Sequence, residues 1–170
     1  MSEPLLGELT TTLVLGFGNP LWGDDGAGIE AVRLLAEKEI PDGVCIEPAG
    51  LPGYGLAAWL EDASRSSLQR LVIVDAARMG QAPGVWRRFT PGEVRLIARG
   101  EIVSLHEADL SSGLALSQAL GLLPEEVLFY AVEPGSLEDG PGLSPAVQDA
   151  LPGMVEDIFL ELQNGRGKHE

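Results

Sequence analysis

Three residues far apart in the chain, Asp25, Asp75 and His106, carry the chemistry that this sequence offers. Asp25 belongs to Gly16-Phe17-Gly18-Asn19-Pro20-Leu21-Trp22-Gly23-Asp24-Asp25-Gly26, where a β-branched, apolar run breaks at glycine and passes two carboxylates into a helix. An acid at a helix start has structural uses: Asp24 is expected to cap the first turn, and Asp25 is favoured by the helix dipole. Asp75 follows the apolar run Leu71-Val72-Ile73-Val74, which puts it at the same carboxyl edge of a sheet as the Gly16 turn. Alone, such an acid is an ordinary turn or cap residue. His106 and His169 are the two histidines, and His169 lies in a polar tail. Ser104 and Glu107 match a capping box, which predicts His106 in the first turn of a helix. There the positive end of the dipole disfavours imidazolium and keeps a neutral, ligand-competent ring. A lone histidine is more often structural; its placement beside two strand-end acids argues for function. Two carboxylates and one imidazole suit a divalent cation with open positions. Lacking thiolates, the trio is an incomplete shell that binds firmly when another molecule supplies the remaining ligands.

Other chemistries do not fit. A dinucleotide fingerprint G-x-G-x-x-G would need glycine at position 21, where Leu21 stands, and two carboxylates would face the pyrophosphate. The sequence has no G-x-S-x-G elbow and no H-E-x-x-H helix. Ser111 and Ser112 follow His106 but read as ordinary helix residues. Cys45 is the single cysteine, which rules out an internal disulfide, and its apolar flanks Val44 and Ile46 predict an inert thiol.

The elements that must position the trio alternate between strand and helix. Strands are expected at 10–16, 44–47, 71–75, 84–89 and 127–132, the fourth at an edge because of Arg87 and Arg88. Helices are expected at 24–38, with an apolar stripe Ile29, Val32, Leu35 and Ala36, at 54–62 and at 104–120. A last helix starts at Ser144-Pro145, and Pro152-Gly153 should interrupt or kink it. Strands apolar on successive residues are buried on both faces, so the fold class is α/β: a three-layer α/β/α sandwich with a mostly parallel, twisted central sheet of about five strands. Sites in such sheets form beyond the carboxyl ends of the strands. Residues 1–163 form one domain, and the polar tail 164–170 is expected to be disordered.

Charge narrows the partners. Lys and Arg number 11 against 26 Asp and Glu, a formal net charge of -15. Nucleic acid and anionic membranes are repelled by such a surface, whose simplest role is solubility. No apolar run of about 18 residues spans a membrane, and Met1 to Glu8 has no signal-peptide pattern, so a cytoplasmic monomer is expected.

These residues together resemble the hydrogenase maturation endopeptidases of nickel-iron hydrogenases. Gly16 to Gly28 is similar to that family's G-x-G-N-x-L-x-x-D-[DE]-x-x-G signature, Val72 to Ala77 to its second acidic strand end, and Ser104 to Leu110 to its histidine segment. Pro134-Gly135-Ser136-Leu137 and Gly142 to Val147 are similar to its closing segment. The resemblance implies metal ligation and catalysis by Asp25, Asp75 and His106. It also implies a single cleavage near the C-terminus of a hydrogenase large-subunit precursor, after nickel insertion. Nickel, or another divalent metal in its place, would then come with the substrate. One departure stands out: where members carry D-G-G-T, this chain has Pro48-Ala49-Gly50-Leu51, which puts that loop's role in question. Two other readings remain open at this point: a small-molecule metallohydrolase with its own metal, and a maturation chaperone without activity.

Overall fold

The computed structural model describes residues 10–50, 53–63, 68–90, 103–104, 107–138 and 140–164. Strand β1 (Thr12–Phe17) has hardly a polar side chain, and its residues alternate between two cores. Leu13, Leu15 and Phe17 enter one core and Val14 the other, as the two-residue period of a strand requires. The same division runs through β3 (Arg70–Arg78), with Leu71 and Ile73 opposed to Val72 and Val74. It recurs in β6 (Glu126–Val132), with Val127 and Phe129 opposed to Leu128 and Tyr130.

Each core is closed by helices. α1 (Ala27–Ala36) and α4 (Pro145–Asn164) cover one face through Ala31, Val32, Leu35, Leu151, Val155 and Ile158. The other face receives Leu56 and Leu60 of α2 (Gly53–Ala63) and Leu114 of α3 (Glu107–Ala119). The expected stripe on α1 is rotated: Ala27, Gly28, Ala31, Val32 and Leu35 are buried, while Ala36 is exposed. Gly28 sets that rotation by lying against the backbone of β1 and β3.

The sheet order is β2-β1-β3-β6-β4, where β2 spans Val44–Gly50 and β4 spans Trp86–Phe89. β1, β2, β3 and β6 are parallel; β4 is antiparallel to β6 and forms the edge anticipated from its arginines. The three-layer, mostly parallel architecture is therefore as expected. The chain leaves β1 toward β2 on one side and returns from β2 to β3 on the other. A crevice thus opens between the carboxyl ends of β1 and β3, the topological switch point at which open α/β sheets bind ligands.

Two local expectations are corrected. The 104–120 helix is shorter: Val103–Ser104 is a two-residue strand, β5, antiparallel to the end of β3 with Ser104 opposite Ala77, and the helix begins at Glu107. Ser104 is thus a sheet residue and not a helix cap. Of the two outcomes expected at Pro152-Gly153, the interruption does not occur: α4 runs as one helix to Asn164. An internal proline costs about 3 kcal/mol. Beyond it Met154, Val155, Ile158 and Leu162 are buried, each worth roughly 1.5–3 kcal/mol, so packing outweighs the break. Residues 165–170 of the polar tail lie outside the described residues, whereas Asn164 ends the helix. Among the described residues, no helix is long and apolar enough to cross a membrane.

Candidate active site

The segment after β1 folds so tightly because glycine removes the side chains that would block it. A Cβ on Gly28 would collide with the carbonyl oxygens of Phe17 and Val74, so α1 rests directly on the ends of β1 and β3. At Gly18, whose φ is +133°, a Cβ would strike the carbonyl of Asp25. The glycines thus serve close backbone packing and not a pyrophosphate. Asn19 closes the turn: its Oδ1 accepts the Leu21 N–H at 3.0 Å, and its carbonyl accepts the Trp22 N–H at 3.1 Å. Its own N–H donates to Asp25 Oδ2 at 3.0 Å, which fixes that carboxylate. Both acids sit on a 3-10 helical turn (Gly23–Gly26) that precedes α1 and packs against β3.

Asp24 does not cap this turn, contrary to expectation. Its fully buried carboxylate reaches across to the segment before α4. Oδ2 accepts the N–H groups of Gly135 at 2.7 Å and Ser136 at 2.8 Å and the Ser144 hydroxyl at 2.7 Å; Oδ1 accepts the Ser144 N–H at 2.7 Å. Burial by itself pushes the carboxyl pKa up, but the Ser144 hydroxyl and the three N–H donors outweigh it and hold the value below the ordinary 3.8. Asp24 is therefore an ionised tie between two segments, reinforced by its N–H on the Ser136 carbonyl at 2.8 Å.

Asp75 is fully buried within β3, which continues past it to Arg78 instead of ending there. β1 pairs with β3 no further than Val74, so Asp75 is the first residue of β3 past that pairing, at the switch point. Its Oδ1 accepts the Ala76 N–H at 2.8 Å. By pleat it shares the side of Leu71, Ile73 and Ala77, the face covered by α2 and α3. The structure therefore brings the Asp25 turn and the Asp75 strand together. His106 lies outside the described residues, as does Leu51; the chain on either side of His106 runs from β5, paired with the end of β3, to the start of α3. Among the described residues no cluster of three His, Cys, Asp or Glu side chains could hold a metal.

Sequence reasoning passed over Glu133. It follows β6 directly, is 9% exposed, and its Oε2 accepts the Met79 N–H at 2.6 Å. The signal was present, since Glu133 follows a buried strand just as Asp75 follows Leu71 to Val74. Cys45 is half-buried, and burial followed by the charge of Glu47 pushes its thiol up to about 11, which makes it inert as expected. In the departing loop, Gly50 ends β2 at φ +71°, and its carbonyl accepts the Gly18 N–H at 2.8 Å. That glycine ties β2 to the acidic turn without any acid at position 48.

Comparison with known proteins agrees with this geometry. The family model described as hydrogenase maturation protease matches residues 29–161. The hydrogenase expression/formation protein HupM of Azotobacter chroococcum mcd 1 is 33% identical over 89% of this chain and 75% of its own length. HoxM of Azotobacter vinelandii, named in the same way, is 34% identical over 85% of this chain and 72% of its own. Among solved structures, the hydrogenase maturating endopeptidase HybD from E. coli superposes with a TM-score of 0.79 at 28% identity, covering 92% of this chain and 94% of that one. The [NiFe] hydrogenase maturation protease HybD from Thermococcus kodakarensis gives 0.73 at 30% identity, covering 88% and 97%. The chain belongs to the hydrogenase maturation protease family and is a peptide-bond hydrolase.

Proposed function

We propose that the protein removes the C-terminal extension of a [NiFe] hydrogenase large-subunit precursor after nickel has been inserted, and that it recognises the nickel itself. The observation that supports this reading most is the packing of the 3-10 turn that carries Asp25 against β3, the strand that carries Asp75, at the switch point. Chain connectivity supports His106 as the third member: Ser104 pairs with Ala77, and His106 is two residues further along. Nickel already held by the precursor has open positions. Asp25, Asp75 and His106 occupy some of them, and the bond to be cut is anchored beside the metal. Precursor without nickel lacks this contact and is released uncut, so cleavage checks insertion. In this reading the enzyme acts on the precursor as a cytoplasmic monomer.

The test is incubation of purified protein with nickel-loaded and nickel-free precursor, with the product mass read by mass spectrometry. Loss of the tail from the loaded form alone is expected, and the His106→Ala protein should leave both forms intact. Equal cutting of both precursors would remove nickel from the reading, and full processing by His106→Ala would remove the histidine.

A further inference from the structure

A groove of about 660 Å³ lies between α1 and α4, within the roughly 300–1,000 Å³ typical of pockets that bury a small ligand. Gly23 and Gly26, the residues that flank Asp24 and Asp25, are part of its lining, so the groove is continuous with the acidic turn. Leu34 of α1 and Leu143 before α4 supply apolar surface. Among the described residues, the lining holds two carboxylates, Glu30 and Asp149, and neither Lys nor Arg. Glu30 is engaged by Arg33 in an ion pair at 2.5 Å. Asp149 is exposed and forms no ion pair among the described residues. Beside the groove, Trp22 bridges to Gly140, and Leu21 and Trp22 are 61% and 50% exposed, an unusual state for large apolar residues next to a buried acidic turn.

We infer that this groove docks an extended peptide that carries apolar side chains and one basic side chain. Resting on the protease reading above, the occupant is the precursor segment adjoining the bond that is cut. The apolar side chains lie against Leu34 and Leu143, and the basic group meets Asp149, which forms no ion pair among the described residues. A groove with negative charge and apolar walls favours such a segment over an acidic one on charge alone. Its continuity with Gly23 and Gly26 lets a bound segment run directly to the Asp25 turn. Substrate is thus held at two places: at the metal, and along the chain beside it.

Steady-state processing of nickel-loaded precursor by the wild type, Asp149→Lys and Leu143→Asp tests this. Both variants should raise KM about tenfold with kcat unchanged, the effect of weakening one contact outside the chemistry. Thermal melting reports whether Leu143→Asp folds; Asp149 is a surface position whose replacement leaves the core intact. A photo-crosslinker at position 148, in the same lining, gives a second readout that does not depend on turnover. Capture of the precursor's C-terminal region supports the inference. A wild-type KM in Asp149→Lys, or capture of a second copy of this chain or of another part of the precursor, overturns it. If the wild type itself leaves nickel-loaded precursor uncut while the crosslink still maps to the C-terminal region, the protease reading fails and the docking site stands.

Discussion

The two ends of the sheet treat their charged residues in opposite ways. At the amino end, Arg70 at the start of β3 meets Glu126 at the start of β6 at 2.9 Å and donates to the Glu161 carbonyl at 3.1 Å. Glu161 is in turn bound by Arg88 at 2.7 Å. Acids there are neutralised by guanidinium groups. At the carboxyl end, the bonds described to Asp24 and Glu133 come from N–H groups and one hydroxyl, all neutral donors. Neutral donors orient a carboxylate without cancelling its charge. One end is an ion-pair clasp; the other holds Asp24 and Glu133 by neutral donors in a water-poor setting, where such bonds are strongest. The same residue type thus holds the fold through ion pairs at one end and through neutral dipoles at the other.

Breaking the carboxyl end should have the largest effect. Asp25→Asn and Asp75→Asn should each slow tail removal by about 10²–10³-fold, the scale of losing one group that stabilises developing charge, with little change in melting temperature. A processing assay paired with a thermal melt checks both halves, and near-normal cleavage by either variant would undo the contrast. Asp24→Ala should act on stability first. It strands buried donors from Gly135, Ser136 and Ser144, at about 1–3 kcal/mol for each one left unmet. Because the Asp24 pKa is lowered in the folded state, its contribution is fully present above the ordinary 3.8 and fades as pH falls through the folded value. Urea titrations at pH 7 and near pH 3 should therefore show the wild type approaching the variant in acid. Arg70→Met should cost about 1–2 kcal/mol and leave cleavage kinetics untouched, since Glu126 can turn to water. Altered kcat in that variant would mean the two ends are coupled. The smallest effect concerns Cys45: thiol-reagent labelling should be slow at pH 8, rise toward the thiol's value of about 11, and leave processing unchanged.

The sequence makes β1, β3 and β6 legible because an unbroken apolar run has few other homes than the middle of a parallel sheet. The placement of Asp25 is legible for a related reason, since a glycine turn is a local pattern, whereas Asp75 reads as a strand end although β3 continues to Arg78. Asp24 is not. An acid at a helix start looks the same whether it caps its own turn or binds donors 111 to 120 residues away, and only the tertiary fold separates the two. β5 was illegible because two residues have no periodicity, and Ser104 with Glu107 imitates a capping box. Pro152 illustrates local rule against global packing: the residues buried beyond it decide the outcome. Glu133 could have been found by treating the end of β6 as the end of β3 was treated.

β3 outruns both of its parallel neighbours, since β1 stops pairing at Val74 and β6 at Ala76. Among the described residues, the overhang from Ala77 to Arg78 pairs with β5, through a two-residue ladder. So short a ladder opens at far lower free energy than the sheet behind it. The amides of Ala77 and Arg78 should therefore exchange with solvent deuterium well before those of Val72 and Ile73. A clasp of this kind would let β5 detach and re-seat while the scaffold behind it stays folded.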